Sequence, residues 1–355
     1  MRPAALPRFA TPVCAKRPLS HRIPQPYNGD CLPFPVPAMR VVLSATLAKA
    51  QFVARLEPLL GADLTVVEGE QAIVAAVPRA DALLLTDFLY TKPVADAVRA
   101  AVPRLKWLQL LTAGYDSAKQ FGVPPDVTVT NMGDALAAPV ATHAVMLLLA
   151  LQRLLPAAMA NQNLHIWDRS ISTPAVIPDQ STIAVVGFGH IGREIARLLR
   201  AFGARIIAIT RSGTPHALAD ETVGLGKLLD VLPRADAVMI AVPLDASTQG
   251  LFGSRALNAC KHGAFLVNIA RGSIVDSFAL IEALTSGVLA GAGLDVTDPE
   301  PLPKDHPLWG APNLIITPHF AGACGVLGTQ RMAAIAEDNI KRFMRGDALT
   351  NVVRI

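Results

Sequence analysis

Cysteine is scarce in this 355-residue chain: Cys14, Cys31, Cys260 and Cys324 are too scattered for the CxxC pairs of a zinc site and too few for a secreted disulfide framework. A reducing compartment, the cytoplasm, is therefore the expected setting, and no metal centre is expected. Charged residues are also few, 17% against 52% hydrophobic, which excludes a globally disordered chain. Long apolar runs are missing: the stretch Ala144 to Leu151 meets Gln152 and Arg153 well short of the roughly 20 residues that cross a bilayer, so no membrane partner is expected. Nor does one charge dominate. The net +4 arises in residues 1–38, where Arg2, Arg8, Lys16, Arg17 and Arg22 face Asp30 alone, leaving 27 bases and 27 acids in the rest. A neutral body without a basic stripe argues against a nucleic-acid partner and for a small-molecule ligand.

Residues 1–38 hold nine of the 28 prolines and no helical or strand periodicity. They are expected to form a disordered or loosely attached extension, or to follow from a start codon misplaced upstream of Met39; so many prolines oppose the amphipathic helix of an organelle transit segment. From Met39 the pattern changes. Short apolar runs (MRVVLS, DALLLTD, LKWLQLLT, VTVTN) alternate with helix-length segments, the mark of a parallel α/β sheet. Residues 137–156, apolar nearly all round, predict one long buried helix. A second alternating series follows (TIAVVG, ARIIAIT, DAVMIAVPL, AFLVNIA, VLAGAGLDV, NLIITPH), predicting six parallel strands in a doubly wound sheet. The expected fold class is α/β with two doubly wound parallel-sheet lobes. The domains expected are 39–140 with 320–355 for substrate and 141–319 for cofactor.

Between TIAVV and EIARLLRAF lies Gly187-Phe188-Gly189-His190-Ile191-Gly192. GxGxxG alone is weak evidence, but at a strand-to-helix junction each glycine has a task. Gly187 permits the tight turn, Gly189 admits a pyrophosphate to the backbone, and Gly192 lets helix and strand pack closely. The helix N-terminus offers free amides and partial positive charge to phosphates. After the next strand, where an acid would bind the adenosine ribose, stand Thr210-Arg211-Ser212. An acid would repel a 2′-phosphate, whereas Arg211 can fork onto one and the two hydroxyls can donate to it. NADP is therefore expected ahead of NAD.

Three later segments carry chemistry: VNIARGSIVD at 267–276, GLDVTDPEPLP at 293–303 and ITPHFAG at 316–322. With the Gly-rich unit upstream, their order and spacing from Met39 onward resemble the D-isomer-specific 2-hydroxyacid dehydrogenases, a family that includes glyoxylate/hydroxypyruvate reductases and phosphoglycerate dehydrogenase. The resemblance implies a Rossmann cofactor domain and a flavodoxin-like substrate domain. It makes Arg271 the substrate-carboxylate clamp, His319 the proton donor and acceptor, and Glu300 the partner of that histidine. Ala270, Pro243 and Thr248 would lie beside the cofactor and Asp295 against the nicotinamide carboxamide. In LLTAGYDSA the backbone amides of Ala113 and Gly114 would bind the substrate carboxylate opposite Arg271, with Leu89 and Tyr90 near the pocket. The roles make chemical sense independently: reduction of a ketone needs a hydride on carbon and a proton on oxygen, and histidine supplies protons near neutral pH.

Thr142 stands where the family often has an acid, and Asp298-Pro299 also departs from its pattern, which leaves the subfamily open. The resemblance implies an NADPH-preferring reductase of small 2-oxo acids of the glyoxylate or hydroxypyruvate kind, and a homodimer. The alternatives are a nucleotide-sensing, corepressor-like interaction protein on the same fold, and a non-redox enzyme with tightly held NAD.

Overall fold

Parallel strands covered by helices on both faces should be largely apolar, and the central strands of this chain are. The computed structural model describes residues 39–355; the expected extension over 1–38 lies outside them. Strands β1 (Val41–Ser44), β2 (Leu64–Val66), β3 (Ala82–Leu85), β4 (Trp107–Leu110), β5 (Thr128–Thr130) and β13 (Val352–Val353) form one sheet. β1, β3 and β4 are buried at every position. The order 13-5-4-3-1-2 is the flavodoxin-like 2-1-3-4-5 arrangement with one antiparallel edge strand added.

The second sheet joins β6 (Thr182–Val186), β7 (Arg205–Thr210), β8 (Glu221–Gly224), β9 (Ala237–Ile240), β10 (Ala264–Asn268), β11 (Leu289–Leu294) and β12 (Leu314–Ile316). Its order, 12-11-10-9-6-7-8, is the doubly wound 3-2-1-4-5-6 order with a seventh strand. The fold class is as expected, but the strand counts are not. β2 and β8, half-exposed edge strands, and the two-residue β13 carry too little apolar signal to be read from sequence.

Each sheet has a core on both faces because strand side chains alternate. Val42, Leu83, Leu85 and Leu108 point one way, and Val41, Leu43, Leu84 and Trp107 the other. The second face also receives Met332, Ala333, Ala336 and Ile340 from the C-terminal helix Gly325–Arg345, which carries the chain back to the first sheet.

The predicted 137–156 helix is two helices. Ala137–Gln152 ends before Leu154, whose φ of 58° is left-handed, and Leu155–Asn163 starts afresh with a proline in its first turn, bent by 66°. The first is apolar all round because it lies against the second sheet. Cβ atoms added at Gly291 and Gly293 of β11 would lie 3.0 Å from Leu151 and Leu147, so these glycines set how closely helix and sheet approach. Among the described residues no single helix is long and apolar enough to cross a membrane. The second helix and the following segment leave Leu155, Met159, Leu164, Ile166, Trp167 and Ile177 exposed, Trp167 at 93%.

Candidate active site

The two sheets present their carboxyl ends, where doubly wound folds bind ligands. At the strand-order reversal between β6 and β9, Gly187 adopts φ 94°, and a Cβ there would lie 2.5 Å from the Ala241 carbonyl oxygen. Gly192 packs its helix onto the turn, for a Cβ would come within 2.0 Å of the Gly187 oxygen. Gly189, the cap of helix His190–Ala201, differs: its missing side chain faces open space. Two glycines are thus required by the protein and the third leaves room for something else. His190 and Ile191 open that helix, whose first amides have no partner within the helix and no side-chain cap.

Beyond β10, buried Asn268 accepts from the Ala270 amide (3.0 Å) and donates to the Arg271 carbonyl (2.9 Å), fixing the backbone from which Arg271 projects. Glu300, beyond β11, places Oε1 2.6 Å from Nδ1 of His319, beyond β12, leaving Nε2 as the nitrogen that can serve a reacting oxygen. His319 holds a left-handed φ of 50°, costly for a residue with a side chain. The conformation is over-determined: the His319 amide donates to the Asp295 carbonyl at 2.8 Å, and the Asp295 carboxylate accepts from the amides of Phe320 (3.1 Å) and Ala321 (3.0 Å).

The hydrogen bond to Glu300 raises the His319 pKa above its ordinary value, with the carboxylate's charge adding to it, while burial and the Arg271 charge oppose. Glu300 is pulled below its ordinary value, chiefly by the same bond. A Cβ on Gly272 would fall 2.0 Å from the Thr297 carbonyl oxygen, so the backbone that carries Arg271 packs against the segment that leads to Glu300. A half-exposed imidazolium beside a fixed carboxylate can deliver and recover a proton, and a guanidinium next to it can hold an anion.

The chain is similar to known proteins over most of its length. The family profile described as "D-isomer specific 2-hydroxyacid dehydrogenase, NAD binding domain" matches residues 145–321. Glyoxylate reductase of Korarchaeum cryptofilum is 33% identical over 291 residues, covering 80% of this chain and 86% of that protein. D-3-phosphoglycerate dehydrogenase of Mycobacterium bovis is 34% identical over 284 residues, 80% of this chain. The chain spans about half the length of that relative, 53%. A crystal structure of a D-isomer specific 2-hydroxyacid dehydrogenase family protein from Aeromonas salmonicida superposes with a TM-score of 0.74 at 29% identity, covering 89% of this chain and 99% of that one. The chain belongs to the D-isomer-specific 2-hydroxyacid dehydrogenase family.

Within this family member several anticipated residues have tasks that their motifs did not reveal. Thr248 is buried, and its hydroxyl donates to the Pro243 carbonyl and accepts from the Asp245 amide, both at 2.8 Å; it shapes the loop rather than facing a ligand. Asp295, 1% exposed, spends its oxygens on the 317–321 segment, including Thr317 Oγ1 at 2.6 Å, and so stands under the histidine loop. Tyr90 is fully buried and donates to the Gly122 carbonyl, which makes it core.

Thr210 accepts from the Gly213 amide and Ser212 bonds Thr214, ordering the turn that carries Arg211. No carboxylate occurs in that turn, yet the fold supplies one: Asp245, from the loop after β9, pairs with Arg211 at 3.2 Å.

Sequence reading missed the braces. Ala113 and Gly114 are held by their carbonyls, which accept from Asn131 Nδ2 (2.7 Å) and Thr112 Oγ1 (2.8 Å). Among the described residues no hydrogen bond takes either amide. Buried His143, on the Ala137–Gln152 helix, places Nε2 2.9 Å from Thr317 Oγ1 and 3.4 Å from Asp295, tying that helix to the histidine loop. A lone histidine in an apolar helix was the only available signal.

Proposed function

We propose that this chain is an NADPH-preferring reductase of small 2-oxo acids of the glyoxylate or hydroxypyruvate type, yielding D-2-hydroxy acids. The observation that carries the reading is the His319–Glu300 pair at 2.6 Å with the Arg271 charge beside it, at the carboxyl edge of a dinucleotide-binding sheet. The residues around Gly189 fit a dinucleotide: an open backbone face at a twelve-residue helix's N-terminus suits a pyrophosphate. When bound, the dinucleotide supplies the hydride.

The chain does the rest. The amides of Ala113 and Gly114 and the Arg271 guanidinium hold the carboxylate and present the oxo group to His319. His319 Nε2 gives its proton to the oxo oxygen as charge builds there, and Glu300 keeps the ring oriented and charged until that moment. The reverse direction needs the neutral imidazole as base. Mixing the protein with a panel of 2-oxo acids and NADPH or NADH, while following reduced nicotinamide absorbance, tests reaction, substrate and cofactor together; no oxidation across the panel sinks the proposal. Such a result, with dinucleotide binding intact, would favour the interaction-protein reading.

Arg211 supports the NADPH preference. Its side chain is 85% exposed, and its pair with Asp245 is of the surface kind, worth about 0–1 kcal/mol, so a dianionic 2′-phosphate can displace the carboxylate. A hydrogen bond to a charged group contributes about 1.5–3 kcal/mol. Arg211→Ala is then expected to weaken NADPH by about 10- to 150-fold in a fluorescence titration and NADH hardly at all. Equal weakening of both cofactors would remove the preference from this residue.

A homodimer is part of the same reading, since the exposed apolar residues between Leu155 and Ile177 offer a surface for a second copy. Sedimentation as a monomer at micromolar concentration would count against it.

A further inference from the structure

The clamp arginine is already gripped on one side. Arg271 Nε and Nη2 donate to Asp116 Oδ2 at 2.8 and 2.5 Å, and Nη1 donates to the Ala270 carbonyl at 2.5 Å. Asp116 lies 155 residues away, in the first turn of helix Asp116–Phe121 beyond β4, so the pair spans the cleft between the two sheets. We propose that Asp116 is the positioning residue of the carboxylate clamp: it takes the side edge of the guanidinium and thereby turns the end edge toward the substrate. The proposal rests on reading Arg271 as that clamp.

A guanidinium carries five N–H groups in one plane. Three are used: Asp116 takes the side edge formed by Nε and Nη2, and Ala270 takes one N–H of Nη1, which leaves one N–H on each of Nη1 and Nη2, the two nitrogens of the end edge. That is the edge that takes a carboxylate with two parallel hydrogen bonds. An incoming 2-oxo acid therefore has no need to displace Asp116.

One further observation places the guanidinium in the site, and a second holds its partner. A Cβ on Gly114 would fall 2.1 Å from Arg271 Nη2 and 3.2 Å from Asp116 Oδ2, so the glycine backbone proposed to bind the carboxylate lies directly against the ion pair. Asp116 is itself held: Asp87, 8% exposed, accepts from the Ser117 amide (3.0 Å) and the Ala118 amide (3.3 Å). Burial pushes the Asp87 carboxyl above its ordinary range against those two bonds, with the nearby Asp116 charge adding to the rise. Asp87 thus anchors the turn, the turn presents Asp116, and Asp116 aims Arg271.

The opposite role, an internal competitor that occupies the clamp until substrate evicts it, predicts the reverse outcome. The test is calorimetric titration of oxalate, an unreactive two-carboxylate probe, into the full chain with a saturating oxidised dinucleotide. Wild type, Asp116→Asn, Asp116→Glu and Arg271→Leu are compared, with melting curves confirming that each is folded. If Asp116 aims the guanidinium, Asp116→Asn weakens oxalate by about 10- to 100-fold, the penalty of a misplaced contact, Asp116→Glu recovers part of it, and dinucleotide affinity is unmoved. Steady-state kinetics should show the loss mainly as a raised KM for the 2-oxo acid. Oxalate binding in Asp116→Asn that equals or exceeds wild type overturns the proposal, as does wild type that fails to bind oxalate or Arg271→Leu that binds it normally. Oxalate binding that follows this order in a protein with no turnover upholds the positioning role and sinks the reductase reading alone.

Discussion

Replacing His319 by alanine is expected to lower kcat for 2-oxo acid reduction by about 10²- to 10⁴-fold, the span covered by general acid catalysis, with dinucleotide affinity retained. Once the imidazole is gone, only water can protonate the developing alkoxide. The side chain is 48% exposed and contributes no core packing, so the protein should still fold. Alanine does leave a non-glycine residue at φ 50°, with a cost of roughly 1–2 kcal/mol for the left-handed conformation. His319→Asn separates the two effects, because asparagine tolerates that conformation yet cannot act as an acid near neutral pH. Rates measured by stopped flow beside a binding titration decide the matter. If either variant keeps more than about a tenth of wild-type kcat, His319 is not the proton donor.

Glu300→Gln should produce the second large effect, on both rate and pH dependence. Reduction requires the imidazolium, so activity falls as pH rises through the His319 pKa. That pKa lies above the ordinary histidine value because the carboxylate bonds Nδ1. Glutamine removes the charge, and the alkaline limb should move to lower pH. The pair is 48% and 42% exposed, which places the lost charged hydrogen bond at the low end of its range, about a tenfold fall in kcat at neutral pH.

The same pair sets a stability window. The raised histidine contributes stability that is complete below its unfolded pKa and is lost as pH climbs through the folded one. The depressed glutamate contributes above its unfolded pKa and loses its effect as pH drops through the folded one. The contribution is therefore fullest between the ordinary carboxyl and imidazole values, 4.5 and 6.5. A kcat–pH profile of the variant that coincides with wild type would show that Glu300 does not tune the histidine.

Much of this was legible in one dimension because the residues concerned answer to local rules. Strands covered on both faces must be continuous apolar runs, so β1, β3, β4, β6, β7, β9 and β10 announce themselves. A dinucleotide turn needs glycine where the backbone turns sharply and where a helix meets a strand, and Gly187 and Gly192 meet those needs. Arg271, Glu300 and His319 were found through the order of their motifs, each weak alone. The edge strands β2 and β8 were hidden because half-exposed strands need no apolar run, and the break at Leu154 because a backbone torsion leaves no mark on composition.

What sequence alone determined is the class of fold and the kinds of chemical group at the cleft, since both follow from side-chain type and short spacings. Tertiary structure decided the pairings. Asp245 meets Arg211 across 34 residues, His143 meets Thr317 across 174, and Asp116 meets Arg271 across 155. Whether two polar groups come within hydrogen-bond reach depends on the crossing of chain segments distant in sequence, and their attraction weakens as they separate.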